Sequence, residues 1–117
     1  DMMNGENVDI ILNAHDMDKY FRKPFELVCC FDTLEHDNKF WVTMENMKKI
    51  CKSGGWILIG VPGRNCPEHK HPNDYWRFYP DAVASLMEDL QNVYIEPQKD
   101  EASHEDWDEI YAWGQKP

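Results

Sequence analysis

Phe25-Glu26-Leu27-Val28-Cys29-Cys30-Phe31-Asp32-Thr33-Leu34-Glu35-His36, then residues 37–51, then Lys52-Ser53-Gly54-Gly55-Trp56-Ile57-Leu58-Ile59-Gly60-Val61-Pro62, is the stretch that decides the fold. Leu27 to Phe31 is apolar without interruption, the pattern of a strand buried on both faces. Trp56 to Val61 repeats it and Pro62-Gly63 stops it, so a second interior strand is expected there. Between them Phe40, Trp41, Met44, Met47, Ile50 and Cys51 recur at three- and four-residue spacing, one apolar stripe on a helix. Asp37 and Asn38 are candidate N-caps for it, and Gly54-Gly55 a left-handed C-cap. Strand, helix, strand in that order calls for a parallel pair with the helix packed across it.

Working toward the N-terminus, Val8 to Leu12 is short, apolar and β-branched, which predicts a buried strand ending in the polar turn Asn13-Ala14-His15-Asp16. A short helix is possible over Asp16 to Lys23, closed by Pro24. In the other direction, Arg64 to Tyr79 has no clean period, and a loop this long in a compact domain is usually a lid or a binding loop. Pro80 fits the first turn of a helix with Val83, Leu86, Met87 and Leu90 on one face. Val93 to Ile95 and Ile110 to Trp113 read as a closing strand pair, and the acidic run Asp100 to Glu109 as a solvated connection between them. Trp107, inside that run, is expected over an interface or the sheet edge. The fold class is therefore α/β, with about five mostly parallel strands, a C-terminal antiparallel pair and flanking helices.

The chain has 117 residues, enough for a single domain with a modest core. Its formal charge of −10 leaves only Arg22-Lys23 and Lys48-Lys49 as basic pairs, so nucleic acid is not an expected partner. No stretch approaches the roughly 20 apolar residues that span a bilayer, so a membrane is not expected either. Four cysteines in apolar, helical and loop settings, two of them adjacent, suit a reducing compartment, and a cytoplasmic protein is the expectation.

The quoted stretch resembles the second half of class I S-adenosylmethionine-dependent methyltransferases. In these a strand ending in aspartate, a Leu-Glu-His turn, a helix, a Pro-Gly-Gly-like turn, which here has Ser53 in place of the proline, and a strand ending in proline follow in that order. His71-Pro72-Asn73-Asp74-Tyr75-Trp76-Arg77-Phe78-Tyr79-Pro80 is similar to a segment of one methyltransferase subgroup, and Ile110 to Pro117 to the fold's closing strand. The resemblance implies a partial Rossmann-like methyltransferase fold, truncated at its N-terminus, in which Asp1 stands where the ribose-binding acid would be and the glycine-rich cofactor loop is lacking. It also implies S-adenosylmethionine as cofactor, with Asp1, Asn13, Ala14, His15, Cys30 and Phe31 on the cofactor side. Asp32 and His36 become the candidate catalytic bases, and Glu35, Asp74, Tyr75 and Arg77 the candidate contacts to a small-molecule or glycan-type acceptor. The alternative is a non-catalytic module of the same ancestry, for binding or assembly.

Each role has a plainer competitor. Glu35 and His36 could simply cap the following helix, and Asp74 with Arg77 could anchor the loop as an ion pair. Cys66, His69, His71 and Asp74 are all zinc-ligand types, yet they share one loop with Pro67 and Pro72 and no second cluster is visible, so no metal is expected. In the family fold the absent strands would lie between Val8–Leu12 and Leu27–Phe31. Those two are then expected either to pair directly or to leave edges that a homodimer covers.

Overall fold

The computed structural model describes residues 1–99 and 108–117; the readings of residues 100–107, including Trp107, lie outside the described residues. Four strands form one sheet in the order β1-β2-β4-β3: β1 Phe25–Phe31, β2 Cys51–Pro62, β3 Gln91–Lys99 and β4 Asp108–Gln115. β1 and β2 run parallel with Val28 opposite Ile57 and Cys30 opposite Ile59, while β4 lies antiparallel to both β2 and β3. The sheet is thus a partial, mixed Rossmann-like sheet with one parallel pair.

The expected first strand is not in it. Asp1 bonds the Val8–Leu12 run twice, accepting from Leu12 N at 2.6 Å and donating to Ile10 O at 3.1 Å, and Ile11 is exposed. Strand propensity needs a neighbouring edge of free backbone groups to become a strand, and this run meets none among the described strands. β1 consequently has β2 on one side and, among the described residues, no strand on the other.

Helix α2, Phe40–Ile50, spans the parallel crossover and buries Met44, Met47 and Ile50 against Val28, Ile57 and Ile59. It ends before the expected glycine cap: Cys51 is already extended and begins β2. Lys52 to Gly55 instead form an irregularity where the β1–β2 register shifts, with Gly54 at φ +78°. Lys116 serves the helix end, its Nζ donating to the carbonyls of Lys48 (2.6 Å) and Cys51 (2.7 Å), a cation placed where helix carbonyls are unpaired. Helix α3, Pro80–Leu86, starts on proline as expected and delivers Val83, with Met87 and Leu90 following it, to the same core. A 3-10 turn over Ala14–Asp16 runs into α1, Met17–Tyr20, which lies against α2. Among the described residues no helix is long and apolar enough to cross a membrane.

All three helices serve the face carrying Val28, Ile57, Ile59, Val61, Ile110 and Ala112. No described helix covers the opposite face. Leu27 and Phe31 are 54% and 46% exposed on it, and a hollow of about 240 Å³ lies there among Phe31, Leu58, Tyr111 and Trp113.

Candidate functional site

The carboxyl ends of β1 and β2 and the start of β4 share one edge, since Phe31 pairs with Gly60 and Pro62 with Glu109. Chemistry gathers there because each strand hands over to a polar turn. Asp32 leaves β1 at φ +46°, a left-handed conformation that aspartate tolerates better than most residues, and its amide donates to Gly60 O at 3.2 Å. A 3-10 turn, Leu34–His36, then buries Leu34 and Glu35 completely. The long loop 64–79 folds back on this turn, for Tyr75 N and Trp76 N both donate to the Glu35 carbonyl, at 2.8 and 3.3 Å.

The loop holds its shape through Arg77. Its guanidinium grips Asp74 with both Nη atoms, at 2.7 and 2.6 Å, and its remaining N–H groups go to the carbonyls of Cys66, Pro67 and Trp76. All five donors are used inside the loop, the arrangement that the planar fork suits. Asp74 also accepts from His69 N, and the Arg77 bonds hold its carboxyl far below the usual carboxylate range. Tyr75 stays 47% exposed beside this anchor.

Around Asp32 stands a group the sequence reading did not single out. Glu109 lies beside it and accepts from the Tyr111 hydroxyl at 2.5 Å. Burial, helped by the charge of Asp32 and opposed by the Tyr111 bond, pushes the Glu109 carboxyl up. Strand alternation would have found the pair: with Ile110 and Ala112 facing the core, Glu109 and Tyr111 must share the other face. In sequence Glu109 closes the acidic run Asp100 to Glu109, whose charge density predicts a solvated connection rather than a strand.

The residues after the Val8–Leu12 run reach the same neighbourhood from the far side. Asn13 spends its amide oxygen on His15 N (2.9 Å), capping the 3-10 turn. His15 Nε2 meets both Asp37 oxygens, at 2.8 and 2.9 Å, and Asp37 directly follows His36. Ala14 is half-buried, and its carbonyl and that of His15 accept from buried Asn46 on α2. The Asp1 carboxylate accepts from Met3 N. Cys30 faces the core, where burial raises its thiol to about 11, and Phe31 crosses Tyr111 edge-on with ring centres 6.3 Å apart.

A methyl donor of the S-adenosylmethionine type requires backbone amides in close approach, which glycine permits. Four of the six glycines are committed elsewhere. A Cβ on Gly60 would lie 2.7 Å from the Phe31 ring, on Gly63 2.5 Å from Asp108 Cβ, on Gly55 2.8 Å from Glu26 O and on Gly114 2.9 Å from Leu90. Gly54 lies in the β2 irregularity, and a side chain on Gly5 would meet only Val8 at ordinary distance. The residues described here do not make a complete site for that cofactor.

The chain matches the family of the methyltransferase domain over residues 3–108. No curated protein sequence matches it. Among solved structures it is similar to the N-methyltransferase NodS from Bradyrhizobium japonicum WM9 in complex with S-adenosyl-L-homocysteine. Identity is 18% over 92% of this chain and 53% of that one, with a TM-score of 0.66. It is also similar to TehB from Haemophilus influenzae, at 12% identity over 92% of this chain and 40% of that one, TM-score 0.65. A third is phosphoethanolamine N-methyltransferase 2 from Haemonchus contortus in complex with S-adenosyl-L-methionine, at 13% identity over 87% and 36%, TM-score 0.65. At such identities the likeness is one of fold, and the chain spans about half the length of these proteins or less. The chain belongs to the methyltransferase domain family.

Proposed function

We propose that the chain serves S-adenosylmethionine-dependent methyl transfer to a small-molecule acceptor and carries the acceptor-facing part of the site. The observation behind this is the sheet edge at which exposed Asp32 stands beside Glu109, with Tyr75 exposed on the neighbouring loop. Methyl transfer asks a protein to align a nucleophile and, for a hydroxyl or ammonium acceptor, to remove a proton. Asp32 takes that proton at its carboxylate, and Glu109, with its carboxyl pushed up, shares the load of a second negative charge nearby. Of the two candidate bases Asp32 is the better placed, because His36 Nε2 is aimed inward at Glu35. Tyr75 rather than Arg77 contacts the acceptor, since the Arg77 donors are all spent. On the donor side the reading keeps Asp1, Asn13, Ala14, His15, Cys30 and Phe31. Four free thiols support a cytoplasmic setting, and the sheet face that no described helix covers supports self-association as a homodimer.

The second reading, a non-catalytic module for binding or assembly, draws its support from the committed glycines. Calorimetry of the chain with S-adenosylmethionine and S-adenosylhomocysteine separates the two. Saturable heat at micromolar to millimolar ligand is the expected result. An absence of heat at millimolar concentrations of both ligands would leave the assembly reading in possession.

A further inference from the structure

Glu35 presents a problem that methyl transfer does not solve. Its side chain is fully buried, and among the described residues neither carboxylate oxygen has a hydrogen-bond partner of good geometry. Leaving such a group without a counter-charge is costly, and burial pushes its carboxyl up. Two imidazoles face it. His36 Nε2 and His69 Nε2 each lie 3.5 Å from Glu35 Oε1.

The tautomers decide what those contacts are. His36 Nδ1 lies 2.6 Å from Asn73 O and His69 Nδ1 3.0 Å from Pro67 O. A carbonyl oxygen only accepts, so Nδ1 carries the hydrogen in both rings, which leaves each Nε2 as the ring atom turned toward the carboxylate. Two ring nitrogens facing one carboxylate in this way need a proton or a metal ion between them. An imidazolium donating to the carboxylate would approach within about 3.2 Å, so 3.5 Å is long for a hydrogen bond. The two Glu35–histidine distances match the edges, about 3.4 Å, of a tetrahedron whose metal–ligand bonds are about 2.1 Å. The three ligand atoms lie within 4.8 Å of one another. The carbonyls that fix Nδ1–H are also the outer partners that orient metal-bound histidines.

We infer that Glu35, His36 and His69 bind one divalent transition-metal ion, with zinc the best match to a set of two imidazoles and a carboxylate. Magnesium and calcium would ask for oxygen alone. The second cluster that the loop lacked in sequence is the Glu35-His36 turn, brought up by the Tyr75–Glu35 bond. Three protein ligands leave a fourth position for water or an oxygen or nitrogen of a bound small molecule. His71, exposed and 5.8 Å from His36 between ring centres, is not one of the three.

The inference does not rest on methyl transfer, and its test reads metal alone. Tag-free chain, stripped with a chelator, is titrated with cobalt and then zinc. The expected result is one equivalent of cobalt with the intense visible bands of a four-coordinate ion, lost as zinc displaces it. His69→Ala, at the loop surface, weakens binding at least about a hundredfold, and Glu35→Gln does the same with an unchanged circular dichroism spectrum. His71→Ala leaves it within a few-fold. Failure of the folded chain to take up stoichiometric metal would overturn the site, as would cobalt bands that His69→Ala leaves intact.

Discussion

Asp74 and Arg77 show how a single residue can be read two ways. Both belong to a segment similar to one in a methyltransferase subgroup, and the Asp74–Arg77 pair is a loop anchor with every guanidinium N–H engaged. Replacing Asp74 with Asn keeps the shape and removes the charge, which is expected to lower stability by about 2 kcal/mol at neutral pH. The sign with pH follows from its depressed carboxyl. The anchor contributes fully above the ordinary aspartate value of about 3.9 and fades as acid protonates the folded state. Glu35 and Glu109, pushed up instead, favour the fold at low pH and lose that contribution as pH rises through their raised values. Urea midpoints of wild type and Asp74→Asn should therefore lie well apart at pH 7 and converge below about pH 4. At this scale the sequence displayed the right side chains but not their partners. The ligand types in the loop were visible; that His69 faces Glu35 was not, because only the folded path of residues 64–79 joins them.

Among the elements, those that carry their own periodicity were readable. The apolar runs at Leu27–Phe31 and Trp56–Val61 became β1 and β2, and the three-and-four spacing became α2. What failed depended on neighbours. Val8–Leu12 has strand composition but bonds to Asp1, and the Gly54-Gly55 cap gave way to a β2 that begins directly at Cys51. Asn46 is a polar side chain inside the helix stripe, 3% exposed, where the pattern alone would ask for an apolar one. Its amide donates to Ala14 O and His15 O, at 3.1 and 2.9 Å, and so clips the 3-10 turn and α1 to α2. Asn46→Ala is expected to cost about 1–2 kcal/mol and to speed amide exchange across residues 14–21 while leaving β1 and β2 protected. Equal loss of protection throughout would show that the clip holds the whole core rather than one flank.

For the molecule as a whole, the governing fact is a sheet that, among the described residues, has helices on one face only. Leu27, Phe31, Leu58, Tyr94 and Trp113 lie on the side that no described helix covers, and β1 adds an edge without a strand beside it among the described residues. Long apolar edges and contiguous apolar patches recruit partners. The 117-residue chain by itself is expected to associate with rising concentration in sedimentation velocity, and Leu27→Lys with Phe31→Lys to shift it toward monomer without loss of circular dichroism. A single monomeric boundary at every concentration would show that this face is tolerated in water.

The strand order carries one more implication, for synthesis on the ribosome. β4 leaves the exit tunnel after β3, yet it must slot between β2 and β3. Until it emerges, β3 has no described neighbour at all, and β2 waits with half of its ladder unfilled. A nascent polypeptide interrupted between residues 99 and 108 therefore presents two unsatisfied rims at once, and closing this architecture waits for β4.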